Sequence, residues 1–133
     1  PALGVRLLMT VSAPRAPFGE RLRSAVSARG NLCVGIDPHP ALLEAWGLGA
    51  DADGLAEFAR RSLEAFADLV PAVKPQVAFF EEHGSAGIGV LEQVLDRIGE
   101  AGALSVADAK RGDIGSTMAG YARAWLRDSF RCV

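Results

Sequence analysis

The sequence has few cysteines, no excess of charge of one sign and no long hydrophobic segment. Its two cysteines are too few for the disulfide framework of a small secreted domain, and Cys33 lies in an apolar run where we expect it to pack as a small hydrophobic side chain. The formal net charge of −2 offers no electrostatic basis for binding nucleic acid. No segment approaches the roughly 18 apolar residues of a membrane span, and no signal-peptide pattern is present. These absences favour a cytoplasmic protein with neither nucleic-acid nor membrane partners.

The pattern of apolar residues predicts strands that alternate with helices, without the motifs that bind nucleotide phosphates. Apolar residues at helical spacing predict helices over 18–29, 55–69, 88–98 and 114–126. Short apolar runs predict strands over 32–36, 72–77 and 104–107, and the segment 41–54 is predicted to be a loop. Alternating strands and helices indicate a parallel sheet with right-handed crossovers, either an open doubly wound sheet or a (β/α) barrel. Because neither a G-x-G-x-x-G nor a Walker loop follows a strand, the nucleotide-binding open sheet is the less favoured of the two.

A charged residue stands at or near the carboxyl end of each predicted strand: Asp37, Lys74 and Asp108. In a parallel array these ends share one edge, where active sites are built. Each residue also has a plain structural explanation, since Asp37 could start a turn, Lys74 could reach solvent and Asp108 could orient a backbone turn. The presence of a charge at all three strand ends favours an active site over these separate explanations.

The segment after the third strand adds further charges. Asp108 and Lys110 are two residues apart, so on an extended chain both would face the mouth. Asp113 follows on the loop, where it can approach the same site or a neighbour's and is expected to cap the last helix. Arg111 should point away from the mouth, towards a phosphate or a salt bridge. Such an alternation of acids and bases is costly unless the charges are mutually paired, which makes a purely structural role a poor explanation.

These motifs resemble those of the orotidine 5'-phosphate decarboxylase superfamily. The stretch DAKRGDIGST at 108–117 resembles the family's D-x-K-x-x-D signature, and VGIDP at 34–38 and VKPQ at 73–76 resemble its first two strands. The FFE at 79–81 resembles the bacterial long-chain subgroup. The resemblance runs from about residue 18 to residue 126.

The resemblance implies a (β/α)8 TIM barrel, of which this chain holds the first three or so strand–helix units. It implies the conversion of orotidine 5'-monophosphate to UMP and carbon dioxide in de novo pyrimidine biosynthesis, with no cofactor and no metal. It also implies a homodimer when full-length, because Asp113 and Thr117 would reach into the partner subunit's site.

The same resemblance implies a role for each remaining charged residue. Asp37 would hydrogen-bond the ribose hydroxyls, and Lys74 would contact the ribose and orient Asp108. Asp108 would face the substrate carboxylate. Lys110 would protonate C6 of the pyrimidine once carbon dioxide has left.

Two alternatives remain open. Magnesium-dependent sugar-phosphate decarboxylases and aldolases of the same superfamily share D-x-K-x-x-D, but they place a carboxylate where Lys74 stands, and a lysine there repels a divalent cation. An inactive truncated remnant is the other alternative, since a (β/α)8 barrel needs about 200 residues or more.

The two ends of the chain are expected to lie outside the barrel. We expect residues 1–17 to be a flexible lead-in, 18–126 a partial barrel domain and 127–133 an atypical tail, which does not resemble the family. The change of sequence near Leu126 suggests a truncation or a shifted reading frame. The strands that would grip the phosphate and the pyrimidine would then be missing, and we expect this chain alone to be inactive or very weak.

Overall fold

The computed structural model describes residues 15–126; most of the predicted lead-in and the whole predicted tail lie outside the described residues. The elements follow one another in the order α1 Phe18–Arg29, β1 Cys33–Ile36, α2 Pro40–Ala45, α3 Ala52–Phe66, β2 Ala72–Pro75, α4 Ala78–Glu81, α5 Gly84–Glu100, β3 Leu104–Ser105 and α6 Gly115–Trp125. No helix within this range is both long and apolar enough to cross a membrane.

The three strands form the predicted parallel sheet in the order β1-β2-β3. Cys33 pairs with Ala72, and Val73 pairs with Ser105. The strand β3 is shorter than the predicted 104–107, but its pairing with β2 continues through an isolated parallel bridge between Gln76 and Asp108. The carboxyl ends of all three strands therefore lie at one edge of the sheet.

The hydrophobic core lies between the sheet and helices α3 and α5. Buried residues recur at helical spacing on both helices, so that each presents one apolar stripe to the sheet. Leu55 of α3 and Ile98 of α5 are fully buried, and Val73 lies beneath them in the sheet. Burying one such side chain contributes about 1.5–3 kcal/mol. This layer holds the strands in the order that positions their charged ends.

The segment 41–54, predicted to be a loop, contains the helix α2 and the start of α3, and the prediction is wrong there. Pro40 occupies the first turn of α2, where its missing N–H costs nothing, and Leu43 anchors the helix in the core. Helix α3 begins at Ala52, before the predicted residue 55, because the Asp51 carboxylate accepts a hydrogen bond from the Gly54 N–H at 2.8 Å.

Two further expectations are corrected by the structure. Cys33 is exposed rather than packed, because its side of β1 faces away from α3 and α5. Asp113 does not cap the last helix: α6 begins at Gly115 with Ile114 at its N-cap position, and no side chain caps it. The Asp113 carboxylate instead accepts a hydrogen bond from the adjacent Ile114 N–H at 2.7 Å.

Helix α1 is attached at the amino end of the sheet, opposite the charged edge. The Arg29 guanidinium donates to the carbonyls of Val70 at 3.2 Å and Ala101 at 2.9 Å, which precede β2 and β3 respectively. A Cβ at Gly102, where φ is +73°, would lie 2.9 Å from the guanidinium. The arginine therefore ties α1 to both of these strand starts.

Candidate active site

The carboxyl ends of the strands bring Asp37, Lys74 and Asp108 together, as the sequence predicts. The Lys74 Nζ lies 3.4 Å from an Asp37 carboxylate oxygen and 4.0 Å from an Asp108 carboxylate oxygen. Lys74 thus stands between two acids that are 71 residues apart in the sequence. Adjacent parallel strands produce this juxtaposition, since all three side chains lie on the sheet face opposite α3 and α5.

Lys110 extends this row of charges. Its Nζ donates to the Asp108 carboxylate at 2.5 Å and to the Gln76 side-chain oxygen at 3.2 Å. The charges alternate in the order Asp37, Lys74, Asp108 and Lys110, so each carboxylate has an ammonium neighbour. The expected mutual pairing is confirmed, and Gln76 is a contact that the sequence reasoning missed. Its place directly after β2, at the same edge as Lys74, was the available signal.

The backbone at Lys110 is not extended, so the expectation that an extended chain turns Lys110 to the same side as Asp108 is wrong, although the two side chains do meet. Lys110 has a φ of 48°, and it is the one non-glycine residue in the left-handed region within residues 15–126. Such a conformation costs on the order of 1–3 kcal/mol and persists only where the surroundings hold it. The long lysine side chain still reaches Asp108 from this turned backbone. The ammonium is presented on a strained loop rather than on a strand.

A glycine leaves room for the Asp37 carboxylate. A Cβ at Gly35 would lie 2.3 Å from an Asp37 carboxylate oxygen and 3.8 Å from Cε of Lys74. Glycine within a strand often marks such a close approach, and this signal was present in the sequence but not used. Gly35 therefore permits the Asp37–Lys74 contact.

Three of the four charged side chains of the row, those of Lys74, Asp108 and Lys110, line a cavity of about 500 Å³ between the sheet edge and α6. This volume lies within the range of roughly 300–1,000 Å³ for small-molecule sites. Charged side chains occupy one wall, and apolar side chains of α6 occupy the other. The lining includes the charged residues Lys74, Asp108, Lys110 and Arg111 and the α6 residues Met118, Tyr121 and Trp125.

Arg111 makes a salt bridge, as one of its two predicted destinations requires, but it does not point away from the mouth, because it lines the same cavity as Lys110. Its guanidinium pairs with the Glu81 carboxylate at the end of α4 and donates to the Ala109 carbonyl at 2.5 Å. The same group lies 5.7 Å from the ring centroid of Tyr121 and 5.8 Å from that of Trp125. In the sequence, Glu81 stands out only as part of the FFE at 79–81. Nothing local pairs it with Arg111, which lies 30 residues further along the chain.

The two other predicted site residues are not brought to the charge row. Asp113 and Thr117 are both exposed, and neither lines the cavity described above. The sequence left open whether Asp113 approaches this chain's own site or a neighbour's. Within residues 15–126, Asp113 does not approach this chain's own site.

The donor set does not resemble a divalent-metal site. Among the described residues, no group of three histidine, cysteine or acidic side chains is placed to hold a metal ion. The two carboxylates of the charge row, those of Asp37 and Asp108, already have the Lys74 ammonium between them. A second cation placed there would meet direct repulsion from that ammonium.

Comparisons with known proteins agree with these motifs. The family model of the orotidine 5'-phosphate decarboxylase / HUMPS family matches residues 30–131. An orotidine 5'-phosphate decarboxylase of Corynebacterium glutamicum is 64% identical over 109 residues, which cover 82% of this chain and 39% of the relative. The enzyme of that name from Corynebacterium efficiens is 66% identical over the same length, again covering 82% of this chain and 39% of the relative. The chain thus spans about two fifths of the length of these curated relatives.

Solved structures agree with the predicted fold. A crystal structure assigned to orotidine 5'-phosphate decarboxylase from Streptomyces avermitilis superposes with a TM-score of 0.86 and 53% sequence identity, covering 91% of this chain and 42% of that one. The predicted fold class is confirmed: the three strands and their crossover helices are part of a (β/α)8 TIM barrel. The chain belongs to the orotidine 5'-phosphate decarboxylase / HUMPS family.

Proposed function

We propose that the protein catalyses the decarboxylation of orotidine 5'-monophosphate to UMP and carbon dioxide in pyrimidine biosynthesis. The observation that carries this proposal is the Lys110 ammonium, held 2.5 Å from the Asp108 carboxylate at the end of a row of alternating charges. The names of the relatives support the same substrate. The reaction needs a positive charge and a proton at one carbon atom, and Lys110 can provide both.

Lys110 is proposed to act on C6 of the pyrimidine. When the bond from C6 to the carboxylate carbon breaks, the electron pair stays on C6, where no adjacent carbonyl delocalises it. An ammonium aimed at C6 stabilises the developing charge more strongly in the transition state than in the ground state, and this difference lowers the barrier. A proton from Nζ then completes the new C–H bond. No cofactor or metal enters this scheme.

Asp108 is proposed to face the substrate carboxylate while it holds Lys110. Its position supports this role, because its carboxylate contacts the Lys110 ammonium and lies within 4.0 Å of the Lys74 ammonium. Asp37 and Lys74 are proposed to bind the ribose hydroxyls. Both side chains are partly exposed at the open edge, where a hydroxyl can reach the lone pairs of the carboxylate and the ammonium protons.

Two parts of the proposal reach beyond the cavity. Asp113 and Thr117 are proposed to enter the site of the partner subunit in a cytoplasmic homodimer, and their exposure on the α6 side is compatible with this. The barrel domain is proposed to begin near Phe18, where α1 starts. Contacts with the phosphate are proposed to come from strands outside residues 15–126, because remote binding energy lowers the barrier at the reacting carbon. Residues 15–126 by themselves should therefore turn over little or no substrate.

The test is conversion of orotidine 5'-monophosphate by the purified full-length gene product, with and without a metal chelator. We expect stoichiometric UMP and carbon dioxide, at the same rate in both arms. Absence of UMP would overturn the proposal. Loss of UMP formation with chelator, restored by magnesium, would contradict the metal-free scheme.

A further inference from the structure

We propose that Arg111 and Glu81 are a positioning pair that holds Lys110 in the backbone conformation from which its ammonium reaches Asp108. This inference rests on the proposed function, in which Lys110 supplies the proton. Neither Arg111 nor Glu81 needs to touch the substrate. Their effect on the reaction would pass through the peptide bond that precedes Lys110.

Arg111 holds the peptide plane between Ala109 and Lys110. The φ angle of Lys110 is the torsion about its N–Cα bond, measured from the carbonyl carbon of Ala109. At 48° this angle lies in the left-handed region, which a lysine adopts only when its neighbours impose it. The Arg111 guanidinium donates to the Ala109 carbonyl oxygen at 2.5 Å. That hydrogen bond restrains the orientation of the peptide plane from which φ is measured.

Glu81 in turn anchors Arg111. The Glu81 carboxylate pairs with the other terminal nitrogen of the guanidinium. The two side chains are 27% and 36% exposed, so the pair is partly shielded from water. A planar guanidinium that donates to two acceptors is fixed in orientation as well as position. The carboxylate therefore determines where the Ala109 carbonyl is held.

One short segment, 76–81, restrains both the side chain and the backbone of Lys110. Gln76 accepts a hydrogen bond from the Lys110 ammonium, and the Val77 N–H donates to the Asp108 carbonyl at 3.2 Å. Glu81 lies on the same segment, at the end of α4. The segment 76–81 thus restrains the lysine backbone through Arg111 and the lysine side chain through Gln76. Displacing Glu81 should loosen only the first of these restraints.

Arg111 also connects the loop to α6. Its guanidinium lies over the rings of Tyr121 and Trp125, and Trp125 packs against the core. Cation–π contacts of this kind favour arginine over lysine, because the flat guanidinium stacks and keeps its N–H groups free. An Arg111→Lys variant keeps the charge but cannot reproduce both hydrogen bonds and the stacking together.

The experiment compares Glu81→Gln and Arg111→Lys with wild type in the full-length gene product. We expect kcat to fall at least about tenfold, since a displacement of about 1 Å in a catalytic group can cost as much as 10²-fold. For Glu81→Gln, the KM for orotidine 5'-monophosphate should stay within about twofold, because Glu81 does not line the cavity. Glu81→Asp, which keeps the carboxylate, should retain more activity than Glu81→Gln.

Matched controls come from the outer helix α3, where Glu57 and Arg60 form a comparable ion pair away from the cavity. Glu57→Gln and Arg60→Lys should leave both kcat and KM unchanged. Variants of Glu81 and Arg111 that keep the wild-type kcat would overturn the proposal. So would a fall in kcat that tracks an equal rise in KM, since that pattern indicates lost substrate binding.

A crystal structure of the Glu81→Gln variant supplies a readout that does not depend on activity. We expect Lys110 to leave the left-handed region, or its Nζ to move beyond about 3.5 Å from Asp108, the limit for a hydrogen bond. An unchanged Lys110 would overturn the positioning role even if the variant were slow. If the wild-type protein formed no UMP, the proposed function would be overturned. The position of Lys110 in the Glu81→Gln crystal structure would then still test whether Arg111 and Glu81 position it.

Discussion

The two faces of the three-stranded sheet differ in composition and in what their side chains do. On one face, Ile36 and Val73 are buried beneath α3 and α5. On the other face, the neighbouring residues Gly35 and Lys74 lie beside the Asp37 carboxylate. Because successive residues of a strand point to opposite sides, the same few residues supply both faces. Stability and the proposed chemistry are therefore carried by alternate positions of the same strands.

This separation has a physical basis. The packed face gains free energy from apolar burial, which tolerates no unpaired charge. The open face holds four charges that neutralise one another and remain accessible to a ligand. Substitutions on the packed face should therefore change the free energy of unfolding, whereas substitutions on the open face should change turnover.

The largest effect is expected for Lys110→Ala in the full-length gene product. Removing the proposed acid should lower kcat by at least about 10²–10⁴-fold, the usual contribution of a positioned proton donor. The free energy of unfolding should change by less than about 0.5 kcal/mol, because the side chain is largely exposed. Single-turnover formation of UMP and urea denaturation measure the two quantities. A variant that keeps most of its kcat would end the assignment of Lys110 as the acid.

On the packed face, Leu55→Ala should lower the free energy of unfolding by about 2–5 kcal/mol, the range for a buried leucine replaced by alanine. Leu55 is 0% exposed in the core, whereas Leu69 is 65% exposed. Leu69→Ala is therefore the matched control and should change stability by less than about 0.5 kcal/mol. Below its melting temperature, the Leu55 variant should keep the wild-type KM. Denaturant titration of both variants tests this, and equal losses would contradict the assignment of the core to this face.

A smaller effect is expected for Gly35→Ala, which adds one methyl group to the open face. The new Cβ would displace the Asp37 carboxylate, and the KM for orotidine 5'-monophosphate should rise about tenfold, as for the loss of one hydrogen bond to a charged group. Stability should change little, because the carboxylate can move. Gly89→Ala on α5 is the control, since no atom lies within 4 Å of its added Cβ. That control should gain about 0.5–1 kcal/mol with an unchanged KM, and an unchanged KM for Gly35→Ala would argue against a ribose contact by Asp37.

The smallest effect concerns the solvent side of α3. Hydrogen bonds from Arg60 and Arg61 lower the pKa of Glu57 from its ordinary 4.5 to about 2. A lowered pKa in the folded state stabilises the protein above the unfolded value, and this contribution is lost as pH falls from about 4.5 towards 2. Glu57→Gln should therefore have a slightly lower Tm than wild type at neutral pH, and the difference should vanish near pH 2. A difference that persisted at that pH would show that the ion pair is not its cause.

Much of the fold follows from local patterns in the sequence. The spacing of apolar residues predicted α1 with its observed bounds, and it predicted the three parallel strands within a few residues. Longer helices were easier to predict than α2, since a six-residue helix is too short to show a periodicity. The prediction that the charges at the strand ends lie together is also confirmed, because parallel strands present their carboxyl ends at one edge.

The details of the site depended on contacts between distant parts of the chain. The exposure of Cys33, the absence of a cap from Asp113 and the left-handed φ of Lys110 are set by which elements lie nearby. No local pattern pairs Glu81 with Arg111, since the two meet only after β2 and β3 have aligned their ends.

The sequence alone thus determined the family, the alternation of strands and helices, and the charged residues Asp37, Lys74, Asp108 and Lys110. These features depend on residue type and spacing, which are local properties. Tertiary structure decided how the four charges are paired, which face of the sheet packs against α3 and α5 and what holds Lys110 in place. Those features depend on distances between residues that are far apart in the chain, and only the packing of the sheet against α3 and α5 sets these distances.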